Sequence, residues 1–251
     1  MIDAVFISDL HLHPNEVAIT HRFNQFIDWA AENTRTLYIL GDFFHAWPGD
    51  DALDSWSESI AAKLSKLAAS GVSVFYMHGN RDFLLGERFA QLAKFAILSE
   101  PTIITLGDEQ VLLVHGDRYC TKDKGHQWLR RLTRNSLFST IFLRLPYQFR
   151  AKLVNKVRKH SQINRSKSAS QLDVVPTSLL KHMQQLNVFT LIHGHTHKPG
   201  LTIHDFQGKS YRQYVLSDWD DNPVLMCYDK STLGIPFSQS ESPCPALRPP
   251  S

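Results

Sequence analysis

The sequence predicts an α/β fold whose strands end on polar residues gathered at one edge. Three observations predict it. Apolar runs of strand length alternate with segments of helical period over the first eighty residues. Five strand-like runs are each followed at once by a short cluster of Asp, His, Asn and Gly. The chain has 251 residues, 43% of them hydrophobic, which is enough for one buried core and one domain spanning 1–251.

Taken in order, residues 2–8 read as a buried strand ending at Asp9. Phe23, Phe26, Ile27 and Ala30 follow the i, i+3, i+4, i+7 spacing, so 20–32 is expected to be a helix. Residues 36–40 form a second strand closed by Gly41-Asp42, residues 55–69 a second helix stopped by Gly71, and residues 72–78 a third strand ending at Gly79-Asn80. This alternation predicts a βαβ-type core. Residues 110–114 make a strand ending at His115, 176–187 a helix, and 188–192 a strand running into His193-Gly194-His195-Thr196-His197. Residues 200–229 read as antiparallel strands between Gly and Asp turns, and 237–251, rich in Pro and Ser, as a loose tail.

Residues 118–170 stand apart as an insertion. Between 118 and 167 there are fourteen Lys and Arg against one acid, Asp123, although the whole chain is only +3. Trp128, Leu132, Phe138, Phe142, Tyr147 and Phe149 are interleaved with those charges. A solvated helix usually mixes both signs, so this basic, amphipathic, helical lid is expected to bind something both anionic and greasy.

Bulk features narrow the setting. Cys120, Cys227 and Cys244 form no C-x-x-C pair, which argues against a disulfide framework or a thiolate zinc site and for a reducing compartment. The first residues show no basic stretch before an apolar one, so no signal peptide is expected. No apolar run approaches the roughly 20 residues that span a bilayer. Thirteen histidines direct attention to metal chemistry.

The five clusters are Asp9-Leu10-His11, Gly41-Asp42, Gly79-Asn80-Arg81-Asp82, His115-Gly116-Asp117 and Gly194-His195-Thr196-His197. Ligands in open α/β sheets bind beyond the carboxyl ends of the strands. The pattern therefore brings carboxylates, an amide oxygen and imidazoles to one place. Oxygen and nitrogen donors without thiolate suit Mn, Fe or Zn. Seven candidates, Asp9, His11, Asp42, Asn80, His115, His195 and His197, exceed what one open catalytic ion needs and suit two. A metal pair about 3.5–4 Å apart clamps the attacking and leaving oxygens of a phosphoryl displacement. His13, His21, His45, His126, His160, His182 and His204 are expected at the surface or in structural roles, and His78 and His193 behind the ligands.

In this order the five clusters resemble the calcineurin-like metallophosphoesterase superfamily. The resemblance covers about residues 5–219 and implies a four-layered α-β-β-α sandwich with a helical lid. It also implies that Asp9, His11, Asp42 and His197 hold one ion and that Asp42, Asn80, His115 and His195 hold the other, with Asp42 as the bridge. Catalysis falls to Asp42, Asn80, Arg81 and His115. Residues 37–44, 78–86 and 192–199, with Ser161, Asn164 and Ser166-Lys167-Ser168, are similar to a branch of the superfamily that cleaves the pyrophosphate of UDP-2,3-diacylglucosamine during lipid A biosynthesis. That likeness implies two Mn²⁺ ions, attack of water on the α-phosphorus, and release of UMP. Asn80 and Arg81 are then expected on the diphosphate, and Asp123, Arg158, Ser161, Asn164, Lys167 and His195 around the rest of the substrate. It further implies a protein peripheral on the cytoplasmic face of the bacterial inner membrane through the lid; a monomer without a nucleic-acid partner is expected. Arg81 stands where many relatives carry His. Arginine has no proton to give near neutral pH, which favours a phosphoanhydride whose leaving group needs none. The alternative is a nuclease or phosphodiesterase of the same superfamily, with the basic segment tracking a nucleic-acid backbone.

Overall fold

Alternate apolar residues in the strands decide the layering. In the computed structural model, which describes residues 1–163, 173–220, 223–231 and 237–240, strands β1 (Ala4–Ile7), β2 (Thr36–Leu40), β3 (Ser73–Met77) and β4 (Ala96–Leu98) run parallel. Val5, Ile7, Leu37 and Ile39 face helices α1 (Val17–Asn33), α2 (Ser55–Ala69) and α3 (Glu87–Ala93), and pack on Phe23, Phe26, Ile60 and Phe89. Ala4, Phe6, Leu40 and Met77 point the other way. There they meet Val111 and Leu113 of β6 (Glu109–Leu113), Ile192 of β7 (Thr190–His193) and Tyr214 of β9 (Lys209–Val215). Beyond the second sheet, Leu112 and Leu191 cover Leu179, Leu180 and Met183 of α7 (Pro176–Leu186). The result is the expected four layers, α-β-β-α. Strands covered on both faces read as unbroken apolar runs, which is why they were visible in the sequence.

The first sheet is completed by β10 (Leu225–Tyr228), antiparallel to β1, and β11 (Phe237–Ser240), antiparallel to β10. The second has the order β5-β6-β7-β9-β8, with β5 (Thr102–Leu106) and β8 (Gly200–Phe206) at its edges. Two expectations change here. Residues 200–229 do not form one antiparallel run: β8 and β9 make a hairpin, β9 lies parallel to β7, and β10 crosses to the other sheet. Residues 237–240, read as part of a tail, add an edge strand because β10 leaves an unpaired ladder that they fill. Residues 241–251 lie outside the described part.

The insertion forms α4 (Lys124–Thr133), α5 (Ser136–Leu143) and α6 (Tyr147–Ile163). Asp123 and Asn135 cap the first two by accepting backbone amides. Phe142 is buried against the first core, with Phe138 and Val154 beside it. Arg150, one of the fourteen positive charges counted in the insertion, is buried. It donates to the carbonyls of Leu145 and Pro48 and pairs with Asp51, which ties the insertion to the loop after β2.

Candidate metal centre

The loops that follow β1, β2, β3, β6 and β7 carry the predicted residues to a common edge. Asp9, His11, Asp42, His195 and His197 all adopt positive φ, between 52° and 69°. Side-chain-bearing residues pay roughly 1–2 kcal/mol for that conformation, and such strain collects at functional sites. The backbone holds it in place: the amides of Asp9 and His11 donate to the carbonyls of Gly41 and Asp42, each at 3.0 Å. Gly79 sits so close to the Asp42 carboxylate that a Cβ there would collide with it. Gly194 is pressed in the same way against Ser8 and Asp9.

Two groups of donors result. In the first, ligand atoms of Asp9, His11 and His197 lie within 4.8 Å of one another; in the second, those of Asp42, His115 and His195 do. Asn80 joins the second, its Oδ1 2.9 Å from His115 Nε2. All seven residues singled out by sequence therefore meet. Of the substrate candidates, Arg81 is beside them, its Nε 3.3 Å from Asp42 Oδ2. Asp123 spends a carboxylate oxygen on the His126 amide at 3.0 Å, which caps α4. Arg158 and Ser161 lie on α6 with side chains outside the described part, and Asn164 and Lys167 are outside it altogether.

The donor set fits cations. Asp9 Oδ1 is buried and faces His197 Nε2 at 3.3 Å. Burial opposes charge on every group here, yet the carboxylates demand a counter-charge. Burial pushes the His115 imidazole down, but Asp42, Asp9, Asp117 and Glu100 overcome it and lift it to about 9. For His197, burial again opposes, but hydrogen bonds to Asp218 and Asp9 raise it to about 10. Asp9 is raised by burial and, more strongly, lowered by the His197 hydrogen bond and by the charges of His115, His197 and His11, so it ends well below the carboxylate range. Burial lifts Asp42 to about 6 against the pull of His115 and Arg81. Burial lowers His195 to about 3, with the charge on His115 adding to it. Buried carboxylates that raise two neighbouring imidazoles in this way are a setting that bound cations would suit.

Four supporting residues were not singled out by sequence. Asp82 is fully buried and accepts the amides of Asp42, Phe43, Phe44 and Gly79, so one carboxylate shapes two ligand loops. Its signal was present in the Gly-Asn-Arg-Asp cluster. Asp218 Oδ2 is 3.0 Å from His197 Nδ1 and fixes the ring. Glu100 accepts the His115 amide at 3.0 Å. His126, expected at the surface or in a structural role, has its ring 5.4 Å from that of His195, stacked at 29°. No local pattern marked these last three. His193 lies behind the ligands as expected, bound to the Gly194 carbonyl and to Gln213.

Residues 3–199 match the profile described as calcineurin-like phosphoesterase. The chain is 45% identical over 217 residues to the UDP-2,3-diacylglucosamine hydrolase of Pseudomonas putida, covering 86% of this chain and 90% of that one. It is 44% identical over 220 residues to the protein of that name from Pseudomonas aeruginosa, covering 87% and 92%. With the profile spanning most of its length and the site geometry in agreement, the chain belongs to the calcineurin-like phosphoesterase family.

Proposed function

We propose that this protein hydrolyses the pyrophosphate bond of UDP-2,3-diacylglucosamine, with water attacking the α-phosphorus, to give UMP and 2,3-diacylglucosamine 1-phosphate in lipid A biosynthesis. One observation carries the reading: two groups of three ligand-competent side chains meet in a chain 45% identical to a protein named for that substrate. The protein is a metal-dependent hydrolase. Two Mn²⁺ ions are the proposed occupants, with Asp9, His11, Asp42 and His197 around one and Asp42, Asn80, His115 and His195 around the other. A two-ion centre supplies a nucleophilic water near neutral pH and neutralises charge on the phosphoryl group.

The chain's own residues do the rest. Asp42 is the proposed bridge between the two ions. Asn80 and Arg81 contact the diphosphate. Arg81 is partly exposed beside Asp42, where its guanidinium offers a fork of donors to phosphate oxygens. It neutralises a departing phosphate without protonating it. Asp123, Arg158, Ser161, Asn164, Lys167 and His195 line the remainder of the substrate. Trp128, Leu137, Ile141 and Phe149 of the lid are exposed. They are proposed to shelter acyl chains and, with the lid's basic residues, to hold a monomer on the cytoplasmic face of the inner membrane. No helix among the described residues is long and apolar enough to cross a membrane.

The test is to incubate the purified protein with Mn²⁺ and detergent-dispersed UDP-2,3-diacylglucosamine and to follow UMP. Bis-p-nitrophenyl phosphate and single-stranded DNA run alongside. Release of UMP is expected; efficient DNA cleavage without UMP would overturn the substrate and leave the metal centre standing.

A further inference from the structure

The first helix of the lid is bolted to the ligand loops through a buried carboxylate remote from them in sequence. Glu100 follows β4, and its side chain is only 4% exposed. One of its oxygens accepts the backbone amide of His115 at 3.0 Å. The other takes Arg130 Nη2 at 2.8 Å and lies 3.4 Å from Arg134 Nη2. Arg130 and Arg134 are four residues apart, on one face at the end of α4. Arg134 also donates to the carbonyls of His78 and Gly79, immediately before Asn80, at 2.9 and 3.3 Å. Arg130 also donates from Nε to Asp117 Oδ1 at 3.0 Å, two residues past His115. Gln127 on the same helix donates to the Asp117 carbonyl at 2.8 Å.

The lid base therefore grips two of the four loops that supply the second donor group, the one with Asn80 and the one with His115. Arg22, from α1, donates to the Trp219 carbonyl beside Asp218, whose carboxylate meets His197 Nδ1.

We propose that Glu100, Arg130 and Arg134 are positioning residues that set the affinity of the Asp42–Asn80–His115–His195 ion, so that attachment of the lid and occupancy of this ion are one coupled event. The inference rests on the two-ion reading above. It assigns no new ligand. Physically, a carboxylate that fixes the His115 amide fixes the direction of its imidazole, and an arginine on the Gly79 carbonyl fixes the approach of Asn80. Partners behind metal ligands typically change affinity by about 10–100-fold when removed.

The experiment titrates metal-free protein with Mn²⁺ by calorimetry and by the electron paramagnetic resonance of free Mn²⁺, for the wild type and for Glu100→Ala, Glu100→Gln, Arg130→Met and Arg134→Met. Thermal unfolding of the metal-free forms is recorded in parallel. The wild type is expected to bind two ions. Glu100→Ala and Arg130→Met are expected to weaken one of the two steps by about 10-fold or more and to leave the other within twofold. Glu100→Gln, which keeps an oxygen for the His115 amide, is expected to recover part of the loss. Lowered melting temperatures with both binding steps unchanged would overturn the proposal and leave a purely structural clamp. If Glu100→Ala does not fold, the two arginine variants decide in the same way. Wild-type protein that binds two ions but releases no UMP fails the substrate reading and leaves this inference intact; wild-type protein that binds fewer than two fails the reading on which it rests.

Discussion

The behaviour of single groups follows from the excess of buried negative charge. In the metal-free protein at pH 7, His115 and His197 are expected to hold protons, being lifted to about 9 and about 10. Metal binding must displace them. Mn²⁺ affinity is accordingly expected to rise with pH between about 7 and 9, approaching a tenfold gain per unit for each proton displaced. Calorimetry in buffers of different ionisation enthalpy would read one to two protons released at pH 7; a value near zero contradicts this. The same shifts act on the fold. Both groups have folded values above 6.5, so their stabilisation of the metal-free form is complete below pH 6.5 and disappears as pH rises through about 9 to 10. A second expectation concerns Arg81. Arg81→His is predicted to lower turnover of the phosphoanhydride and to spare or improve that of a nitrophenyl diester; faster UMP release by the variant would count against a leaving group that needs only charge. Residues such as Asp42, Asn80 and His195 were legible because each follows a strand at once and stands next to glycine. Glu100 and Asp218 were not, because the histidine each one holds, His115 or His197, is 15 or 21 positions away.

At the scale of elements, a few buried side chains join loops that have no regular structure of their own. Asp82 is the clearest, with four backbone amides on its two oxygens. Asp82→Ala would leave those amides buried and unpaired, so a loss of about 3–5 kcal/mol in urea unfolding is expected, together with weaker Mn²⁺ binding. A loss under about 1 kcal/mol would show that water replaces the carboxylate easily. Helices α1, α2 and α7 were readable because their apolar faces repeat over three or more turns. Elements β4 and α3 were not, being three and seven residues long. In the insertion, periodicity announced helices, but only the fold revealed that Arg150 is buried and that Arg130 and Arg134 turn inward. Charge count alone does not say which arginines meet solvent.

The whole molecule explains why the pattern in the sequence was so regular. Two sheets pack face to face, and the strands whose carboxyl ends meet at one edge are the ones followed by the five clusters. Apolar runs specified that the strands were buried but not which sheet a strand joined, so the passage of β10 to the first sheet and the pairing of β11 could not be read beforehand. The central claim is that Asp42 stands between two cations held by residues from five loops. Crystals of the protein grown with Mn²⁺, measured at the manganese absorption edge, test it directly. Two anomalous peaks about 3.5–4 Å apart, with the Asp42 carboxylate between them, are predicted; a single peak, or peaks away from Asp42, would contradict the account.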